Sequence, residues 1–77
     1  MIMKVTVKLI GPLIYAAGFS EKEITLPNSA TARDLFPRIK LDKKRPSIIT
    51  RNGNAIGPAD TLEDGDRVVV SPLYSGG

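Results

Sequence analysis

The sequence contains no cysteine and no histidine, and these two absences remove several classes of function. Without Cys, the 77 residues cannot form a disulfide, a zinc–thiolate site or a thiol nucleophile. Without His, they lack the usual general base near neutral pH and the commonest metal ligand in proteins. Ser20 and Ser75 have no base beside them in any motif, so an autonomous enzyme is the least favoured class.

Long apolar runs are also lacking, and the chain is short. No segment approaches the length that crosses a membrane, and the first residues have no hydrophobic signal core. Small secreted domains usually carry disulfides, so we expect a cytoplasmic protein with no membrane contact. A chain of 77 residues forms one domain. It buries roughly 60% of the surface that its unfolded form exposes, so function is expected at the surface or a terminus.

The charge is mildly positive, with a net value of +3, and much of the excess lies between Lys40 and Arg45. Such a run is usually a solvated loop, and its functional alternative is a docking patch for an acidic protein partner. Nucleic-acid binding is not expected, because aromatic residues that could stack on bases are few and none lies beside the run. Four carboxylates cluster between Asp60 and Asp66, and we interpret them as turn formers, with no metal site.

Alternating apolar residues predict five strands. Met3, Val5, Val7 and Leu9 alternate with polar residues, which is typical of a half-buried strand. The other strands are expected at 21–26, with Ile24 and Leu26 inward, and at 67–71, with Val68 and Val70 inward. A further pair at 47–51 and 54–56 is joined by Asn52-Gly53, a strong turn signal. Residues 13–20 are expected to form a loop or a short helical turn.

One helix is predicted to begin at Thr31. Asp34 can accept from the Thr31 amide in a variant of the capping box, and Leu35, Phe36 and Ile39 would face the core. Pro37 has no amide to donate, so the helix is expected to be short or kinked. The order of strand, strand, helix, strand, short strand, strand matches the β-grasp arrangement, although other small α+β folds also fit it.

The end of the sequence carries the clearest chemical signal. Gly76 and Gly77 follow closely on the last predicted strand, and two final glycines arise by chance in roughly 0.5% of sequences. One interpretation is a frayed terminus. The other is that a partner enzyme threads the side-chain-free residues through a narrow channel and activates the terminal carboxylate as an acyl-adenylate. We therefore predict a single domain over 1–77, with 72–77 as a flexible tail.

Several segments, taken together, resemble the small subunit of molybdopterin synthase, a member of the MoaD/ThiS sulfur-carrier family. They cover nearly the whole chain in the expected order, although only the final diglycine is specific by itself. The segments are 8–13 (Lys-Leu-Ile-Gly-Pro-Leu), 16–18 (Ala-Ala-Gly), 31–35 (Thr-Ala-Arg-Asp-Leu), 62–68 (Leu-Glu-Asp-Gly-Asp-Arg-Val) and 71–77 (Ser-Pro-Leu-Tyr-Ser-Gly-Gly).

The resemblance implies a ubiquitin-like β-grasp fold, with a mixed sheet of four to five strands on one short helix. It implies that an E1-like adenylating enzyme uses ATP and magnesium to activate Gly77, and that a sulfur donor protein converts it to a thiocarboxylate. The carrier itself would bind no cofactor or metal and perform no catalysis. Partner contacts would lie on Pro72, Leu73, Tyr74, Ser75 and Gly76, with outer-face residues such as Val69 extending them.

The recipient of the sulfur is left open by the sequence. The long first loop and the proline of the tail favour the molybdopterin branch, in which the tail inserts into the large subunit of the synthase. Transfer to the thiamin thiazole is the alternative within the same family. A ubiquitin-like modifier that forms isopeptide bonds through Gly77 is the alternative of another class. We expect a monomer that forms a heteromeric complex.

Overall fold

The computed structural model describes residues 2–41 and 47–73, and these ranges form a sheet with two short helical segments. The predicted strands are all present, with ends that shift by at most one residue. The elements in chain order are β1 (Ile2–Leu9), α1 (Leu13–Ala17), β2 (Glu21–Pro27), a 3₁₀ helix (Ala32–Arg38), β3 (Ser47–Arg51), β4 (Asn54–Ile56) and β5 (Arg67–Pro72).

The sheet is mixed and has the strand order β2-β1-β5-β3-β4. β1 pairs antiparallel with β2 and parallel with β5, while β3 pairs antiparallel with both β5 and β4. The first and last strands therefore lie side by side near the middle of the sheet. This is the mixed sheet that the predicted β-grasp arrangement requires, with all five strands formed.

The core lies on one face of the sheet, which we call the inner face. The alternation predicted for β1 is confirmed, since Met3, Val5, Val7 and Leu9 are all buried. Every predicted inward residue of β2, β5 and the helix is buried in the same cluster. Burial of each such side chain contributes about 1.5–3 kcal/mol relative to exposure. The cluster is made of Met3, Val5, Val7, Leu9, Leu13, Ile24, Leu26, Ala30, Ala32, Leu35, Phe36, Ile39, Ile49, Leu62, Val68 and Val70.

The helix that follows Thr31 is short, as expected, and it is a 3₁₀ helix. The Asp34 carboxylate accepts from the Thr31 backbone amide (2.9 Å), which confirms the predicted capping contact, and also from the Thr31 hydroxyl (3.2 Å). Pro37 lies inside the helix. Its missing donor is tolerated because the segment is short and its last turn closes through the Ile39 amide, which reaches the carbonyls of Leu35 and Phe36.

The turn between β3 and β4 has the predicted geometry. Asn52 and Gly53 both have positive φ (52° and 89°), which matches the right-handed twist of the flanking strands. The segment predicted as a loop or helical turn contains α1, which ends at Gly18 in the left-handed conformation. In the described part of the chain, no helix is long and apolar enough to cross a membrane.

Candidate functional site: the exit of the C-terminal arm

The last strand, β5, lies in the middle of the sheet and is paired on both sides. We call the residues that follow it, 73–77, the C-terminal arm. Lys8 and Leu9 of β1 lie beside Val69 and Val70, and Ile48 of β3 lies opposite Ser71. Pairing with β1 extends to Val70, and pairing with β3 extends to Pro72, so β5 is held on both sides almost to its last residue. The position and direction in which the chain leaves the sheet are therefore set by the fold.

The predicted boundary of the tail is wrong by one residue. Pro72 was expected to begin a flexible tail, but it is the last residue of β5 and lies opposite Ser47 of β3. Proline is tolerated at a strand end, where a missing amide removes little of the ladder. Leu73 is the next residue and is 47% exposed. The other predicted site residues, Tyr74, Ser75, Gly76 and Gly77, lie outside the described residues.

Apolar side chains surround this exit on the outer face of the sheet. Val69 is half-buried and alternates with the buried Val68 and Val70. Two isoleucines lie on the same face, and Leu73 follows just beyond the strand. We call this group the exit patch, and it consists of Ile10 (39% exposed), Ile48 (43% exposed), Val69 and Leu73.

Only part of the exit patch was predicted. Leu73 and Val69 were named as contact residues, and Leu73 is exposed enough to serve. Ile10 and Ile48 were missed, although the alternation of β1 places Ile10 on the outer face. Ile10 reaches the exit because its amide donates to the Val70 carbonyl at 3.1 Å. Exposed apolar groups that are contiguous, unlike single ones, mark surfaces that contact other molecules.

Basic side chains border the exit patch on the outer face. Lys8 lies beside Val69, and Arg67 lies beside Thr6 in the neighbouring strand. Both are exposed, as is Lys4 further along β1. Within residues 2–41 and 47–73, the ion pair that forms is Arg51–Asp66, so these three cations are not paired there. The face therefore presents an apolar centre bordered by Lys8 and Arg67, which we call the positive border. Beyond Lys8 the face ends at two carboxylates on β2, since Glu21 lies opposite Lys8 and Glu23 opposite Thr6. The positive border suits a partner surface with acidic residues at its rim.

The basic run between Lys40 and Arg45, which was predicted as a solvated loop or a docking patch, is mostly outside the described residues. Lys40 is described, is exposed and has a positive φ of 59°. Residues 42–46 are not among the described ones. The prediction that this run contacts an acidic partner therefore stays a prediction. The positive border of the outer face was missed because its members are far apart in sequence.

The acidic cluster before β5 forms turns, as predicted. Asp66 is 5% exposed, and its carboxylate accepts from the Asn52 side-chain amide (3.1 Å) and the Glu63 backbone amide (2.7 Å). Arg51 lies 3.8 Å from the same carboxylate, measured from its Nε, and donates to the Thr61 carbonyl. This network ties the turn before β5 to the β3–β4 hairpin. It fixes where β5 begins, and therefore where the arm emerges.

The remaining carboxylates of the cluster also accept from the backbone. Asp60 accepts from the Gly57 amide and Asp64 from the Lys4 amide, each at 2.7 Å. Asp64 thereby bonds an amide of β1 that β5 does not reach. In the described residues, no group of acidic side chains is arranged to hold a metal ion.

Solved structures from archaea share this fold. A Pyrococcus furiosus protein, provisionally described as subunit 1 of the molybdopterin converting factor, is 32% identical with a TM-score of 0.78. The alignment covers 94% of this chain and 99% of that one. Small archaeal modifier protein 1 from Methanosarcina acetivorans is 26% identical, with a TM-score of 0.70 and coverage of 100% and 99%. Caldiarchaeum subterraneum ubiquitin is 24% identical, with a TM-score of 0.65 and complete coverage of both chains. These likenesses confirm the ubiquitin-like β-grasp fold.

The family comparison extends through the arm itself. A search of curated proteins finds no match. A model described as the ThiS family matches residues 7–77, which include β1 beyond Thr6, every later element and the final diglycine. This match and the likeness to the Pyrococcus protein confirm the resemblance drawn from the sequence. The chain belongs to the ThiS family, a group of ubiquitin-fold sulfur carriers and related small modifiers.

Proposed function

We propose that this protein is a sulfur carrier that works through the carboxylate of Gly77 and supplies sulfur for molybdopterin synthesis. The observation that carries the proposal is the family match through residue 77, joined to a fold in which β5 directs the arm out of the middle of the sheet. The 32% identity to the Pyrococcus protein and its provisional description support the molybdopterin branch. In this proposal, partner proteins perform the catalysis and the carrier works in the cytoplasm.

The chemistry requires activation, because a carboxylate is a poor electrophile. A carboxylate oxygen of Gly77 attacks the α-phosphorus of ATP, and pyrophosphate leaves with the electrons of the broken P–O bond. The sulfur of a donor at the hydrosulfide level then attacks the acyl carbon. AMP leaves with the electrons of the C–O bond, and the product is a thiocarboxylate. The adenylating enzyme provides the ATP and magnesium site, so the carrier needs neither.

The arm and the exit patch have different roles in this proposal. Gly76 and Gly77 have no side chains, so they fit a narrow channel that leads to the nucleotide. Leu73 and Tyr74 anchor the arm at the partner surface, since aromatic and bulky residues dominate many interfaces. Pro72 ends the paired strand, and Ser75 belongs to the segment that threads the channel. The exit patch and its positive border provide the contact area around this arm.

Three partners follow from the proposal. An E1-like adenylating enzyme activates Gly77, and a sulfur donor protein delivers the sulfur. The large subunit of molybdopterin synthase then accepts the arm and uses the thiocarboxylate. The carrier meets them in turn, because each must reach the same carboxylate.

The test is to reconstitute the sulfur transfer with purified proteins and then to measure the intact mass of the carrier. The protein is incubated with an E1-like adenylating enzyme, ATP, magnesium and a sulfur source. We expect a mass gain equal to the replacement of one oxygen by sulfur, located by fragmentation at Gly77. Deletion of Gly77 should abolish the gain while leaving the far-UV circular dichroism spectrum unchanged. Sulfur transfer to the shortened chain would overturn the proposal. It would also be overturned if the full-length protein gained no sulfur from an enzyme preparation that is active on another carrier.

A modifier role is the second candidate, and the likeness to the Methanosarcina modifier protein favours it. In that case the activated Gly77 would acylate lysine amines of other proteins. Both roles need the same adenylate, so the discriminating measurement is made in cells. Conjugates of higher mass would identify a modifier. After trypsin cleavage behind Arg67, the last basic residue, the modified lysine would carry residues 68–77, joined through Gly77. A free thiocarboxylate with no such conjugates would identify a carrier. The two branches would then be distinguished in cells that lack the protein, by whether supplied molybdopterin or supplied thiazole replaces it.

A further inference from the structure

The edge of the sheet formed by β2 has an open backbone along part of its length. β2 is the outermost strand on its side of the sheet and pairs with β1 alone. The Leu9 amide donates to the carbonyl of Ser20, its direct partner in the register, at 2.8 Å. Because bonded and non-bonded pairs alternate in an antiparallel ladder, Lys22, Ile24 and every second residue from Ser20 bond to β1. The intervening residues of β2 direct their amides and carbonyls away from the sheet.

The C-terminal end of this edge is closed, and the rest of it is open. Pro27 occupies an outward position, where its missing amide costs the ladder nothing, and its carbonyl accepts from the Ala30 amide. The Thr25 carbonyl accepts from Arg38 Nη1 at 3.5 Å. The backbone groups of Glu21 and Glu23 and the amide of Thr25 have no partner within residues 2–41 and 47–73. They form a row of donors and acceptors that matches an incoming strand.

Two of the three open positions carry acidic side chains, and the third is Thr25. Glu21 and Glu23 are exposed and lie on the outer face, two residues apart. Lys22 lies on the other face, with its ammonium group 5.7 Å from the centre of the Phe19 ring. A second copy of β2 would place Glu opposite Glu, and like charges directly opposite destabilise a sheet. Lys8 lies opposite Glu21 on the other side of β2, whereas an added strand would have the two carboxylates as its direct neighbours. The charges at the edge therefore disfavour a self-pairing that places Glu opposite Glu and favour a basic strand.

The edge leads into a cleft beside the 3₁₀ helix. The cleft is open and has a volume of about 340 Å³, which is large enough for a long side chain. Asp34 and Arg38 both line it, so the cleft has one acidic and one basic side chain. The lining residues are Pro27, Ser29, Ala30, Asp34, Pro37 and Arg38.

We propose that the edge of β2 binds an extended segment of a partner protein by strand addition, and that this segment carries Lys or Arg at alternate positions. The backbone row provides the hydrogen bonds, while Glu21 and Glu23 select the basic side chains. β1 separates this edge from β5, so the edge and the arm exit are two strand spacings apart, or about 10 Å. An added strand would therefore lie close to the arm exit without occupying β5.

The test uses a defined peptide as the probe. The acetylated and amidated peptide Thr-Lys-Val-Lys-Val-Lys-Thr is titrated into ¹⁵N-labelled protein and followed by amide chemical shifts. We expect the largest shifts at residues 21–26 and little change at residues 69–73. The matched control peptide has Glu in place of Lys and should bind at least about tenfold more weakly, since it opposes like charges. The protein without Gly77 should bind the Lys peptide equally, which makes this test independent of the proposed sulfur chemistry.

Variants separate the backbone contribution from the charge. Glu23→Gln keeps the outward amide and removes the charge, so the affinity should fall about threefold, as for an exposed ion pair. Glu23→Pro also removes the amide, and the affinity should fall about tenfold or more because a strand hydrogen bond is lost. Circular dichroism checks that both variants fold. Peptides N-methylated at the Lys or at the Val amides repeat the test on unaltered protein.

Each outcome bears on the proposal. Loss of binding with one N-methylation pattern and not with the other supports strand addition, and the pattern identifies the strand direction. Equal binding of both N-methylated peptides, or of the Glu peptide, overturns it. Shifts confined to the exit patch overturn it as well, since the peptide would then lie on the outer face. A dimer that forms without peptide and is lost in Glu23→Pro would assign the edge to a second copy instead.

Discussion

Replacement of the buried Asp66 by Ala should destabilise the protein far more than the same change at its exposed neighbour Asp64. Asp66 accepts from Asn52 and from the Glu63 amide, and its carboxylate lies 3.8 Å from Arg51 Nε. A hydrogen bond to a charged group contributes about 1.5–3 kcal/mol, and a partly exposed ion pair about 0.2–1 kcal/mol. Some donors regain water in the variant, so we expect a loss of about 2–4 kcal/mol. That is a large share of a total stability of about 5–15 kcal/mol.

Asp64→Ala is the matched control, because it lies in the same turn and removes the same carboxylate. Asp64 is exposed and accepts one hydrogen bond, from the Lys4 amide. Water can replace that acceptor, so we expect a loss of about 0.5–1.5 kcal/mol. The assay is urea unfolding followed by far-UV circular dichroism, with the midpoint and slope fitted for each protein. Equal losses for the two variants would refute the reasoning that burial of Asp66 holds the start of β5.

Two further pairs of variants test the core, the arm and the backbone. Leu35→Ala should cost about 2–5 kcal/mol by urea unfolding, since Leu35 is fully buried. Leu73→Ala should leave stability within about 0.5 kcal/mol but weaken binding to the adenylating enzyme about fivefold or more, measured by calorimetry. A loss of stability with unchanged binding would contradict its role as an anchor. Gly53→Ala should cost about 1–2 kcal/mol because Gly53 has a φ of 89°. Gly57→Ala, where a Cβ would meet Asp60 at an ordinary 3.8 Å, should change stability by less than about 0.5 kcal/mol. Equal effects at the two glycines would show that backbone strain is not the cause.

The local elements were predictable because their signals are contained in a few neighbouring residues. The alternation from Met3 to Leu9 depends on the period of a strand, and the turn at Asn52 depends on positive φ. The contact between Thr31 and Asp34 spans three residues, so the sequence alone indicates it. Pro37 signalled an irregular helix, and the helix is a 3₁₀ helix. What it could not signal is how the last turn closes, since that depends on the packing of Leu35 and Phe36.

Most of the site outside the arm could not be predicted, because its residues come from distant parts of the chain. Ile10 and Ile48 flank the end of β5 only because β5 inserts between β1 and β3. Asp66 looked like one turn carboxylate among four, and its burial beneath Asn52 and Arg51 depends on the β3–β4 hairpin. Pro72 was assigned to the tail because residues 72–77 show no repeating pattern, but Ser47 of β3 extends the pairing to it.

The sequence by itself determined the strands, the turns, the capped helix and the chemical nature of the arm, since each depends on side chains close together along the chain. It also limited the chemistry, because Cys and His are lacking and the last residues are glycines. The tertiary structure decided where the arm emerges, which apolar and basic groups surround it and which edge of the sheet stays open. Those properties depend on strand order, and strand order follows from the burial of one common core by residues far apart in sequence.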